Sequence, residues 1–336
     1  MNLENLTPFE AERYAISDKE GKNLLLIVVK ATYNFDKHGA LTAADKKQPI
    51  EMADIYYGTP GESSIRYASD FSFGKTATDI ALIGHAYAPG SNFKESYVRL
   101  KIGILQHLVK VFGDRVWEKR VGFLTMSSPQ PFEKIPIVFE RAYGGNDRSN
   151  KDPQKHEYEP MNPVGVGFRS KKGNLPKEGS PLPNFEDPNK LIKRITDRPK
   201  PTGFGFIAPS WTPRREFAGT CDKAWQTSRM PLLPVDFDTR FFNAANPALL
   251  YPGFMKGNES VEIAGASRLG TIRFDLPGLY PECLVEDANE ESAVKMNLDK
   301  VCFNTDEDQM VLVWSGNYPV PGEFRAIKKV VCRLYK

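Results

Sequence analysis

Sixteen of the chain's 26 prolines fall between Pro129 and Pro234, and this crowding constrains the fold more than any other feature. Proline has no N–H to donate and its ring clashes with the preceding helical turn, so long helices and central strands are excluded from most of that stretch. The same stretch carries Phe168, Phe185, Phe204, Phe206, Trp211, Phe217 and Trp225. A disordered linker would leave these rings in water, so residues 129–234 are expected to form an ordered, loop-rich layer packed on sheets. Two short helices are expected here. In one, Asp187 caps, Pro188 takes the first helical position and Leu191, Ile192 and Ile195 share a face; the other covers 222–228.

Strand patterns flank the layer on both sides. Positions 25, 27, 29, 31, 33 and 35 are Leu, Ile, Val, Ala, Tyr and Phe, an unbroken apolar face at period two. The opposite face turns from Leu24, Leu26 and Val28 to Lys30, Thr32 and Asn34, which predicts a strand buried on both sides at one end and on one side at the other. Turn residues at 36–39 precede Leu41. Similar patterns recur at 79–87, 98–102, 108–112, 261–263, 271–276, 294–298, 310–314 and 330–334. Many short strands separated by turns predict a mainly β fold, an antiparallel β-sandwich or Greek-key core. We expect a single domain over 1–336, with a first strand region at 1–128, the irregular layer at 129–234 and a second strand region at 235–336.

The net charge is only +3, but its distribution is uneven. Residues 141–215 hold 15 Lys and Arg against 8 Asp and Glu, a local excess of +7 that suits an acidic partner. The start of the chain lacks the basic and apolar blocks of a leader, and its longest apolar run, 24–29, is far below a bilayer span, so a cytoplasmic location is expected. Cys221, Cys283, Cys302 and Cys332 are too dispersed for a knuckle and are expected as small buried thiols.

Known chemistries find little support. No G-x-S-x-G occurs, and Gly74-Lys75-Thr76 ends like a phosphate loop but has Ser69, Phe71 and Phe73 where a bare backbone cradle is needed. His38, His85, His107 and His156 include no ligand pair at i, i+2 or i, i+4 spacing, so neither metal nor cofactor is expected. Asp236 and Asp238 are two apart and Arg240 follows on the same side. We read them as a buried, charge-paired turn, and Glu140 beside Arg141 in the same way. Nucleic-acid binding would use Lys171, Lys172, Arg194, Arg214 and Arg215 near the aromatics, but no nucleic-acid module surrounds them.

Several phrases together form a recognisable series: Leu6-Thr-Pro-Phe9, Val28-Val-Lys-Ala-Thr32, Ser69-Asp70 with Lys75 and Thr78-Asp79, Gly113-Asp-Arg115 with Trp117, and Pro131-Phe132. It continues with Phe139-Glu-Arg-Ala-Tyr-Gly-Gly145, Asn162-Pro-Val-Gly-Val-Gly-Phe168, Trp211-Thr-Pro-Arg214, Ala218-Gly-Thr220 with Trp225, and Leu233-Pro-Val-Asp-Phe-Asp238 with Arg240-Phe-Phe-Asn243. This series resembles a bacterial family of unknown function encoded beside type VI secretion genes. The resemblance implies an adaptor or chaperone that holds a secreted effector and docks it on the valine-glycine-repeat (VgrG) spike or the PAAR tip protein. It carries no catalytic residues. Cys221 departs from the series, which leads one to expect an aromatic residue after Gly219-Thr220.

The residue types agree with a binding role. Gly144, Gly145, Gly165 and Gly167 allow backbone angles that other residues avoid, and with Asn162, Trp225 and the acid–arginine turns they describe a fixed loop architecture. Phe168, Trp211, Arg214, Arg215 and Phe217 are the expected partner-binding residues, since Trp and Arg anchor protein interfaces. The competing function is a hydrolase of a cell-wall or sugar polymer, with Asp236, Asp238 or Glu140 as acids.

Overall fold

The computed structural model describes residues 1–148, 150–170, 175–287 and 290–335. Its longest strand, Asn23–Phe35, is the one that the period-two pattern marks most strongly. It lies inside a six-stranded sheet, flanked by Glu10–Ser17 and Gln309–Pro319, with Leu41–Ala43 pairing at its far end. Beyond Gln309–Pro319 come Asn297–Asn304 and then Asp79–Ile83, the latter pair parallel. A five-stranded sheet runs Phe185–Glu186, Leu105–Phe112, Glu95–Ile102, Ser260–Ala264, Ile272–Asp275. A four-stranded sheet runs Asn2–Asn5, Lys329–Tyr335, Tyr280–Glu286, Glu291–Val294.

The fold is mainly β, as the alternation predicts, with most ladders antiparallel. One apolar core joins the sheets: Leu25, Ile27 and Val29 from the first, Val98, Leu100 and Ile263 from the second, and Cys283, Val330 and Cys332 from the third. Every strand pattern read from the sequence has a counterpart except 294–298. There Val294 ends one strand and Asn297 begins the next, with Lys295 and Met296 in the connection.

The second face of Asn23–Phe35 corrects an expectation. Lys30 and Thr32 are each only 4% exposed, so the polar end of the strand is buried on both sides. The cause is the connection between Leu41–Ala43 and Asp79–Ile83, which covers this end of the strand: Asp70 and the Pro49 carbonyl bind the Lys30 ammonium, and the Gln48 amide donates to the Thr32 hydroxyl at 2.9 Å. Within the proline-rich layer, Lys223–Ser228 is helical, capped by the Asp222 carboxylate on the Trp225 amide at 2.8 Å. The helix expected from Asp187 does not form. Asp187 instead closes a turn, its carbonyl accepting from the Lys190 amide at 2.9 Å, while the Ile192 amide donates to Glu186 at 2.7 Å. The buried Glu186 carboxylate also binds Arg115, and this tether holds the segment off a helical path.

The loop motifs lock the layer together. Asn162 is fully buried and donates to the carbonyls of Phe139 at 2.8 Å and Tyr143 at 3.0 Å. Tyr143–Gly144 pairs in parallel with Val166–Gly167 beside it. A Cβ on Gly165 would lie 2.4 Å from the Asn162 side chain, so close approach is what requires glycine there; at Gly145, φ is +98° and a Cβ would lie 2.4 Å from the Gly165 carbonyl oxygen.

Candidate functional site

The six-stranded sheet carries a row of buried charges. Register places Lys30, Val313, Lys300 and Asp79 side by side across four strands, so their side chains leave the same face. The preceding loop lowers Asp70 and Lys75 onto the row. Asp70 binds Lys30 at 2.7 Å and also binds Lys300, while Lys75 binds Asp79 at 2.8 Å. Asp299, at a bulge in its strand, accepts from the Ser315 hydroxyl and from Ser72 at 3.4 Å. Asp79 is further held by the Ala244 amide at 2.9 Å, the Ala245 amide at 3.2 Å and the Asn243 side chain at 3.2 Å. Residues 243–245 are thus clamped to the sheet through a core carboxylate.

Three lysines and three aspartates balance one another here, all of them buried. Burial disfavours the charged form of Asp70, but Lys300 and Lys30 outweigh it and hold its carboxyl below the usual range. Asp79 is held low in the same way, by Lys75 and the donors around it. Asp299 has the weakest support, and burial pushes its carboxyl up to about 6. Lys75 is fully engaged in this network, which leaves no ammonium free for a phosphate at Gly74-Lys75-Thr76. The cluster is a structural device, and Lys30, Asp70, Lys75 and Asp79 all fall in the phrases that carry the family resemblance. Composition alone missed it, although a lysine set between Val29 and Ala31 in a strand pattern was the available signal.

The sequence-predicted partner residues divide. Trp211 is 2% exposed and packs edge-on against Phe139, with ring centroids 5.6 Å apart. Arg214 is 7% exposed and turns inward, donating to the carbonyls of Phe241 at 2.9 Å and Ile207 at 2.8 Å. Neither is an exposed anchor; in the 3-10 turn at Arg214–Phe217 only Arg214 points into the layer, while Arg215 and Glu216 face solvent. Phe217 is half-buried beneath the Arg240 guanidinium at 4.3 Å. Arg215 faces solvent and donates to the Tyr158 hydroxyl at 3.0 Å.

Arg215 opens onto a cleft of about 900 Å³ that is also lined by Asn146, Arg148, His156, Tyr158 and the edge of Trp211. Asn146 and Arg148 continue into a second cleft of about 320 Å³ lined by Trp117, Phe168, Arg169, Leu175 and Lys177. The two adjoin at this shared wall. Four Lys and Arg plus His156 line the pair of clefts against Asp147 and Glu157. Burial, and then the nearby charge of Arg198, pushes the Arg169 guanidinium below its ordinary range. An anionic guest would relieve that crowding. Sequence reading found Phe168 and Arg215 but missed Arg148, His156 and Tyr158. The short ladder joining Asn146–Asp147 to Glu157–Tyr158 brings these together, and its two-residue strands are too brief to show a period. Lys171 and Lys172 lie outside the described residues.

The carboxylates suspected of catalysis are engaged by the fold. Asp236 is exposed and accepts from the Thr220 amide at 2.9 Å and hydroxyl at 2.7 Å, not from Arg240. Asp238 does pair with Arg240, at 2.9 Å to Nε, but on the surface. The turn is therefore not buried, since both acids cap loops on the outer side of the layer. Glu140 accepts from the amide and the hydroxyl of Ser64, each at 2.7 Å, while Arg141 reaches Asp114 at 3.0 Å; the two neighbours do not pair with each other. The Trp225 indole donates to the Leu232 carbonyl at 2.9 Å. Of the cysteines, Cys221 is exposed and the other three are buried, which corrects the expectation for Cys221 alone.

Residues 20–315 match the model of a family described as an uncharacterized protein conserved in bacteria, DUF2169. The chain belongs to this family. The DUF2169 region takes in the whole ion cluster, the glycine–asparagine loops and the two clefts. No curated protein and no solved structure matches the chain. No helix among the described residues of this DUF2169 protein is long and apolar enough to cross a membrane.

Proposed function

We propose that this protein is a non-enzymatic adaptor that holds a secreted effector and helps load it onto the VgrG spike or PAAR tip of a type VI secretion system. The observation that carries the binding role is the pair of adjoining basic, aromatic clefts that share Arg148, one reaching Arg215 and the other Arg169 and Lys177. Their excess of positive charge fits an acidic segment of a partner, with Tyr158 and Phe168 offering flat apolar contact. The engagement of Asp236, Asp238 and Glu140 by hydrogen-bond donors supports reading them as architecture rather than as hydrolytic acids. The secretion context rests on the family resemblance.

Replacing Arg148 and Arg215 together by Glu tests the clefts. Both side chains are exposed, so the melting temperature should hold, while effector capture weakens roughly 10- to 100-fold and the parent complex loosens with added salt. Equal capture by an equally stable double variant would place the contact elsewhere. Trp211→Ala is unsuitable for this purpose, because it would open a cavity in the core.

A further inference from the structure

Cys283 and Cys332 face each other directly across the antiparallel ladder of Tyr280–Glu286 with Lys329–Tyr335. Their sulfurs are 3.1 Å apart, and both residues are fully buried. We propose that these two thiols form an oxidation site, at which a peroxide converts them into an intramolecular disulfide that fastens the strand Lys329–Tyr335 to the sheet.

Directly opposed residues of an antiparallel pair have Cα atoms about 4.5 to 5.5 Å apart, inside the range a disulfide spans, so the bond asks for side-chain rotation and little backbone movement. The ladder continues on both sides of the pair, and Lys329–Tyr335 is held on its other edge by Asn2–Asn5. The Cys283 thiol donates to the Cys332 sulfur, which favours the thiolate at Cys332 and holds that thiol below its ordinary range. Taking Cys332 as the nucleophile makes Cys283 the resolving group, and the reverse assignment gives the same disulfide.

In the first step the Cys332 thiolate attacks one peroxide oxygen, the O–O bond breaks and the departing hydroxide takes a proton to leave as water, giving Cys332 sulfenic acid. In the second, the Cys283 sulfur attacks the Cys332 sulfur and the S–O bond breaks. The leaving hydroxide takes the Cys283 proton and departs as a second water. Two thiols and one hydrogen peroxide give one disulfide and two waters. Cys302 is excluded as a partner because it lies in a different sheet, beside Lys300, with burial pushing its thiol up to about 12.

The test treats the full-length protein with hydrogen peroxide, alkylates free thiols after denaturation, and digests it without reductant for peptide mass spectrometry. The expected result is a crosslink between the Cys283 and Cys332 peptides with Cys302 still alkylated. The melting temperature should rise by about 5 °C, because the bridge closes a long loop, and dithiothreitol should reverse the rise. Cys221→Ser should keep both effects and Cys283→Ser should lose both. Recovery of Cys283 and Cys332 as alkylated thiols after Cys221 has been oxidised, or of Cys332 sulfinic acid with no crosslink, would overturn the proposal.

Discussion

Asp70→Asn is expected to lower the melting temperature by roughly 4 to 7 °C, the response to losing about 3 to 5 kcal/mol in a chain of this length. Asn keeps the shape and can still accept from the Glu51 amide, which Asp70 binds at 2.8 Å. What it removes is the one charge between Lys30 and Lys300, leaving two buried ammonium groups facing each other. Those lysines reach the carbonyls of Pro49 and Ala68 but, among the described residues, have no other carboxylate within salt-bridge distance. Thermal melts of parent and variant measure the effect. The double change of Asp236 and Asp238 to Asn is the control, and its shift should be far smaller because both acids meet solvent. Equal shifts would remove the special status of the buried row.

Asp299→Asn should act in the opposite direction and depend on pH. The Asp299 carboxyl titrates at about 6 in the folded protein against 3.8 ordinarily, so between those values the folded state holds a proton that the unfolded chain has released. Stability from this group is full below about pH 4 and is lost as pH rises through 6. Above that, keeping the buried carboxylate ionised costs on the order of 3 kcal/mol. Asn never ionises, and its side-chain oxygen can still accept from Ser315. The variant should therefore melt several degrees above the parent at pH 8, with the two curves converging near pH 4. A variant that melts below the parent at pH 8 would show that Lys75 depends on Asp299 as a charge partner more than burial penalises it.

The sequence was most legible where local pattern and tertiary environment agree. Asn23–Phe35 stands out because its odd positions are apolar without a break, and the helix at Lys223–Ser228 because Asp222 can cap it. Legibility failed where a distant residue decides the local outcome. Nothing near Lys30 announces that Asp70 will bury it. Pro188 suits a first helical turn, yet Glu186 draws the Ile192 amide away from that path. At Trp211 and Arg214 the residue types were those of an interface, but Trp211 packs on Phe139 in the core and a short 3-10 turn sends Arg214 inward and Arg215 outward. The clefts escaped for a related reason, since their walls bring together residues from Trp117 to Arg215 that are far apart in the chain.

The proposed adaptor role is tested most directly by producing the full chain together with the proteins encoded by its neighbouring genes and measuring the mass of the eluting species by light scattering after size exclusion. The expected result is co-elution in a whole-number ratio at low salt, with dissociation as salt is raised. Separate elution of the chain from these proteins at micromolar concentration and low salt, with cleavage of a cell-wall polymer by the purified chain alone, would contradict the adaptor reading and restore the hydrolase.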